Sequence, residues 1–139
     1  METILLATDG SDHARTATEE ALERAADSGA TLHAISVVDE RRVEEPALGT
    51  AELSTVYAEE NAQECMSDIR KRADEVDVPV EAVIRRGIPH EVIIDYADDI
   101  DADVIIVGAH GDHADHFSGV GENVRRNSNR RVLVVAEGA

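Results

Sequence analysis

Five short apolar runs, parted by stretches of helical periodicity, constrain this 139-residue chain more than any other feature. They are Thr3 to Thr8, Thr31 to Val38, Val78 to Arg85, Ala102 to Val107 and Val132 to Ala136. Apolar runs of this length, bounded by turn residues, read as strands. Between them, Ala14, Ala17, Ala21, Leu22, Ala25 and Ala26 recur at helical spacing, and a long charged helix is expected from about Ala51 to Val76. Val92, Ile93, Tyr96, Ala97 and Ile100 form the apolar face of a third helix, and a short fourth is expected near Gly119 to Ser128. Strands alternating with helices imply parallel pairing through right-handed crossovers. Strands that are apolar almost throughout imply a sheet covered on both faces. The expectation is one α/β domain over residues 1–139.

The punctuation agrees with this order. Asp9-Gly10-Ser11 turns the chain after the first strand, and Ser11 can cap the helix that follows, with Asp12 in its first turn. Gly29 suits a left-handed helix end. Glu40 to Thr50, polar and carrying Pro46 and Gly49, reads as a flexible connection. Pro89 stands where a helix tolerates its missing N–H best. Gly108 to Phe117 reads as a loop rich in Gly, His and Asp.

Charge narrows the function. Thirty acidic against thirteen basic residues leave a formal −17, which repels phosphate backbones and disfavours nucleic acid as a partner. The aromatics are Phe117, Tyr57 and Tyr96, too few for a base-stacking platform. Twelve of the cations are Arg, and Lys71 is the one lysine, a balance that points to a salt-adapted protein. Cys65 is alone, so no internal disulfide can form, and it is expected as a small buried apolar residue. No apolar run approaches the roughly 20 residues that span a bilayer. The start, Met1-Glu2-Thr3-Ile4, has no signal-peptide pattern, so a cytoplasmic location is expected, with no membrane partner.

In open parallel sheets, ligands bind beyond the carboxyl ends of the strands, where the strand order reverses. Two loops qualify: Ala7-Thr8-Asp9-Gly10-Ser11 and Gly108-Ala109-His110-Gly111. Glycines there admit a ligand to the backbone, and a following helix N-terminus offers free N–H groups to an anion. The G-x-x-x-x-G-K-[ST] loop, the dinucleotide G-x-G-x-x-G, the nucleophile elbow and a zinc-binding Cys pair are all absent from the sequence.

Over nearly its full length the chain resembles the universal stress protein family. The matching pieces are Ala7-Thr8-Asp9-Gly10-Ser11, Val37-Val38-Asp39 and Gly87-Ile88-Pro89-His90-Glu91. Val107-Gly108-Ala109-His110-Gly111 and Val120-Gly121-Glu122-Asn123-Val124 follow, ahead of Val132-Leu133-Val134-Val135. The resemblance implies a five-stranded parallel sheet of order 3-2-1-4-5 and a homodimer, commonly paired through the last strands, here Val132, Leu133, Val134 and Val135. Some members bind ATP. The resemblance then places adenine near Asp9 and the backbone of Val37, and ribose and phosphates on Gly108 and Gly111, with Ala7, Thr8, Ala109 and His110 as further nucleotide-binding candidates in the same loops. Binders look like G-x-x-G, nine residues, then G-[ST]. Here the nine-residue count from Gly111 reaches Gly121, and Glu122 follows instead of Ser or Thr. A carboxylate beside phosphates repels them. Alignment on Val120 to Val124 instead puts Ser118-Gly119 at the pair, next to Val120, with a loop three residues shorter.

His110, His113 and His116 are interleaved with Asp112 and Asp115, residue types competent for zinc, nickel or copper. Three solvated histidines on a polar loop is the preferred reading, and no metal is assigned. His13, His33 and His90 are scattered, with His90 expected to support a helix start. The acidic run Asp95 to Asp103 is expected as a solvated helix end. The leading expectation is a dimeric stress-response module that binds ATP, with Mg²⁺, or another adenine nucleotide, that signals to an unknown protein partner, and that is not a turnover enzyme. The alternative is a dimeric interaction protein that has lost nucleotide binding. A metal site in the histidine loop is the weaker third.

Overall fold

The computed structural model describes residues 2–8, 15–39, 50–109 and 118–136. The elements are β1 (Thr3–Thr8), α1 (Arg15–Ser28), β2 (Thr31–Asp39), α2 (Thr50–Glu75), β3 (Val80–Gly87), α3 (Pro89–Ile100), β4 (Val104–Ala109), α4 (Ser118–Asn127) and β5 (Arg131–Ala136). All the pairings are parallel, in the order β3-β2-β1-β4-β5. The fold class is therefore the expected one.

Period-two alternation divides each central strand between two cores. Ile4, Leu6, Leu32, Ala34, Val104 and Ile106 face α1 and α2, where Ala17, Ala21, Met66, Ile69 and Ala73 meet them. Leu5, Ala7, Ile35, Val37, Ile105 and Val107 face Ile93 and Ala97 of α3 and Val124 of α4. With both faces covered, β1 and β4 are apolar at nearly every position, as a central parallel strand requires. The small side chains of α1 let that helix lie close to the sheet.

Helices α1, α2 and α3 end in the same way. A left-handed residue follows each: Gly29 at φ 67°, Asp77 at 56° and Asp101 at 54°. The next N–H then reaches back across the last turn: Ala30 N to Ala25 O, Val78 N to Ala73 O, and Ala102 N to Ala97 O, each at 2.9–3.0 Å. Only the first of the three carries the glycine that marks such an end in sequence. Asp77→Gly is expected to raise stability by about 0.5 kcal/mol, because a side chain resists this conformation and Asp only partly escapes the penalty. A urea midpoint that moved down at unchanged slope would contradict it.

These caps also correct two strand boundaries. The sequence places the start of the third strand at Val78 and of the fourth at Ala102. Both N–H groups are instead consumed by helix caps, Pro79 has none to give, and the ladders start two residues later. Both strands run correspondingly further: Gly87 pairs with Asp39, and Gly108 and Ala109 pair with Val135 and Ala136. Gly108 and Ala109, expected in a loop, are thus the end of β4. The helix and β5 boundaries differ from expectation by one residue. The Ser11 cap, the connection over residues 40–49 and the loop over residues 110–117 lie outside the described residues.

The acidic helix end is neutralised in part. Arg130, just before β5, reaches Asp98 and Asp101 at 3.1 Å each and the carbonyl of Ala102 at 2.7 Å. Those two carboxylates hold the guanidinium pKa above its ordinary value. Asp103 Oδ2 accepts the N–H of Thr3 at 2.7 Å. No group of metal-ligating side chains occurs among the described residues, and no described helix is long and apolar enough to cross a membrane.

Candidate functional site

The chain leaves β1 toward β2 and β3 on one side of the sheet and reaches β4 and β5 on the other, so the order reverses between β1 and β4. Ala7 stands beside Val107 in that pair. The next residues, Thr8 and Gly108, are therefore neighbours at the two carboxyl ends. On the other flank Thr8 pairs with Ser36, which places Val37 one residue beyond the end of β1. Ala7, Thr8, Val37 and Gly108 are thus brought together at one crevice. Asp9, His110 and Gly111 lie outside the described residues, as do His113 and His116.

Thr8 is fully buried although polar, and Ser36 beside it is nearly so. Both point to the α1–α2 face. The Thr8 hydroxyl lies 3.8 Å from the thiol of Cys65 on α2. Cys65 is half-buried at the margin of the core and has this polar contact, so it is more than the apolar filler expected. Nothing in the sequence pairs residues 8 and 65; only the packing of α2 on the sheet does so.

Helix α4 opens at Ser118, one residue before its expected start, so Ser118, Gly119 and Val120 form its first turn. N–H groups of a first turn have no acceptor inside the helix, and the dipole makes that end favourable to anions. Arg125 and Arg126 sit in the last turn, where cations belong. Two observations separate the alternative positions of the small-residue pair. A Cβ on Gly121 would lie 3.0 Å and 3.2 Å from the two methyl carbons of Val134, so Gly121 is the point where α4 closes on β5. Glu122 directs its carboxylate along the helix to Arg125, 3.2 Å away. Gly121-Glu122 is therefore engaged in packing and an ion pair, and Ser118-Gly119 carries the helix opening.

The edge strand β5 keeps Val132, Leu133, Val134 and Val135 half-buried. Leu133 and Val135 pack against one core and Val132 against the other. Its far side has no strand partner among the described residues.

A groove lined by described residues lies elsewhere. It encloses about 660 Å³ beside α3, with Gly87, His90 and Val92 on its wall and Glu91 and Asp95 on its rim. It shares no residue with the crevice, and its two carboxylates do not suit an anionic ligand. The crevice is the better candidate, because it lies at the carboxyl ends of β1 and β4, where the strand order reverses. Among the described residues His90 makes no hydrogen bond that would support the start of α3, whose N-cap, Ile88, has no side-chain cap. His33, to which the sequence assigns no role, lies 3.3 Å from the Tyr96 hydroxyl and 3.7 Å from Glu81, while Arg85 stands 5.9 Å over the Tyr96 ring. Burial, and then Glu81, push the Tyr96 phenol pKa up. This cluster fastens α3 to the β2–β3 flank.

The model of the universal stress protein family matches residues 1–136. The universal stress protein MJ0531 of Methanocaldococcus jannaschii is 33% identical over 136 residues, which cover 95% of this chain and 80% of that protein. MJ0577 of the same organism is 34% identical over 119 residues, 73% of this chain and 74% of that protein. Its solved structure superimposes with a TM-score of 0.84 at 31% identity, over 99% of this chain and 96% of that one. A universal stress protein from Archaeoglobus fulgidus, solved in complex with dAMP, shares the fold at a TM-score of 0.68 and 23% identity, over 97% and 98% of the two chains.

Proposed function

Since the chain belongs to the universal stress protein family, we propose that it is a dimeric module that binds an adenine nucleotide, ATP with Mg²⁺ foremost, and does not turn it over. The observation that carries this reading is that the first turn of α4 lies apart from the Gly121–Val134 contact and the Glu122–Arg125 pair. Gly121 is used against Val134 and Glu122 is drawn to Arg125, so neither obstructs the N–H groups of the Ser118-Gly119 turn. Adenine would lie against Ala7, Thr8, Asp9 and Val37, and the phosphates between Gly108, Ala109, His110 and Gly111 and the first turn of α4 at Ser118, Gly119 and Val120. A fold shared with a dAMP complex admits such a ligand; the residues that hold it are this chain's own. Dimerisation would pair Val132 to Val135 with the same strand of a second copy, which removes an apolar edge that invites aggregation. The absence of a membrane-spanning helix among the described residues accords with a cytoplasmic protein, and nucleotide-dependent change in the loop after Gly108 would be read by a protein partner.

One observation favours a second reading. Only residues 112–117 separate Gly111 from the start of α4, a shorter reach than the binding pattern implies. In that reading the chain is a dimeric interaction protein without nucleotide.

A thermal melt in concentrated KCl decides between them. ATP with Mg²⁺ at 100 times its dissociation constant should stabilise the fold by roughly 2.7 kcal/mol, and the midpoint should climb with ATP concentration. Gly111→Asp is expected to remove that response and leave the ligand-free melt in place. A flat response of the parent protein to ATP, ADP and AMP would overturn the first reading and leave the second.

A further inference from the structure

The end of the sheet opposite the crevice carries a feature that nucleotide binding does not use. Between the second half of α1 and the end of α2 lies a groove of about 370 Å³. Its floor is Leu22, Ala26 and Val76. Val76 is 47% exposed, the one large apolar side chain so open among the described residues. Glu23, Asp27 and Glu75 rim it, and none of the three has an ion-pair or hydrogen-bond partner among the described residues. The cation of the groove, Arg72, is already held, 2.9 Å from Asp68 and 3.9 Å from Glu19.

The stems of Arg and Lys can cover apolar surface of this kind. Here the groove's one cation, Arg72, is drawn to Asp68 and to Glu19 of the same groove, and Glu23, Asp27 and Glu75 offer negative charge without a partner among the described residues around an apolar lining. We propose that this groove docks a cationic amphipathic segment of a partner protein, with an aliphatic side chain set on Leu22, Ala26 and Val76 and flanking Arg or Lys against Glu23, Asp27 and Glu75. Charge complementarity selects that occupant. Nucleic acid and anionic lipid are repelled by the rim, and a second copy of this chain brings the same acidic rim and the same net −17. Because α1 and α2 end at the amino ends of the strands, the groove and the nucleotide crevice lie at opposite poles. Docking therefore does not depend on nucleotide being bound.

The test uses a fluorescein-labelled helical peptide with a leucine stripe flanked by arginines, and a twin with glutamate in place of arginine. Binding is measured at the lowest KCl concentration at which the protein remains folded. Val76→Ser changes no charge at an exposed turn position and is expected to weaken the arginine peptide at least fivefold. Glu23→Gln with Glu75→Gln is expected to weaken it as much. Glu60→Gln with Glu64→Gln removes the same charge from exposed positions on α2 outside the groove and should change affinity less than twofold. Amide shifts on binding should centre on Leu22, Ala26 and Val76. Equal losses from the two double variants, undiminished binding by Val76→Ser, or equal binding of the glutamate twin would each overturn the proposal, since the peptide would then be reading bulk charge or nothing. A lower sedimentation mass for Val76→Ser would also overturn it, by assigning the groove to contact between copies. A melt of each variant establishes that the fold is retained.

Discussion

Moved from about 2 M to about 0.1 M KCl, the protein is expected to lose on the order of 5 kcal/mol of folding stability, more than most single substitutions remove. The charge makes this large. A formal −17 sits on a domain of 139 residues. The Debye length grows from about 3 Å at 1 M to about 10 Å at 0.1 M, so repulsion that reached only adjacent carboxylates comes to act across the surface. The unfolded chain spreads the same charge through a larger volume and suffers less. Low salt also strengthens attractions, but the ion pairs among the described residues are partly exposed and weak. Arg24–Glu2, Arg72–Asp68 and Arg125–Glu122 are surface pairs, each worth about 0–1 kcal/mol. Repulsion therefore wins. Urea midpoints across a KCl series measure the effect. A midpoint independent of KCl would mean an ordinary acidic protein, with the scarcity of lysine carrying no physical message.

Gly121→Val is expected to cost about 3 kcal/mol while sparing any response to nucleotide. The first added carbon already meets Val134 at 3.0 Å, and two further methyls have no room unless α4 lifts from β5. A β-branched residue also loses side-chain freedom inside a helix. For a domain of this size the melting midpoint should fall by roughly 6–15 °C. The two roles open to Gly121 give opposite results. As a packing glycine its loss lowers the ligand-free melt, and added ATP still raises the midpoint of what remains folded. As a phosphate-binding glycine its loss leaves the ligand-free melt near the parent value and cancels the ATP response. The second pattern would move the phosphate site from Ser118-Gly119 to Gly121-Glu122.

Most of the architecture is legible in the order of residues, and for a definite reason. Apolar runs of strand length between helical stretches admit few arrangements, because right-handed crossovers and the need to cover both faces prune the rest. The boundaries are less legible. Asp77 and Asp101 are indistinguishable in sequence from any acidic surface residue, yet each adopts the left-handed turn that takes up the next N–H and delays its strand by two residues. Of the candidate site, the convergence of Ala7, Thr8, Val37 and Gly108 follows from strand order and register alone.

By itself, then, the sequence determined the alternation of elements, the two-faced core, the net charge of −17, and the strand ends that make up the candidate site. Each of these is a property of residue order and composition, conveyed by periodicity and by long-range repulsion that needs no contacts. Tertiary structure alone decided that Gly121 packs on Val134, that Thr8 meets Cys65, and that Val76 stands half-exposed beside Glu23, Asp27 and Glu75, with Arg72 drawn to Asp68 and Glu19. Those depend on distances between residues far apart in the chain, which are fixed only when the helices settle on the sheet.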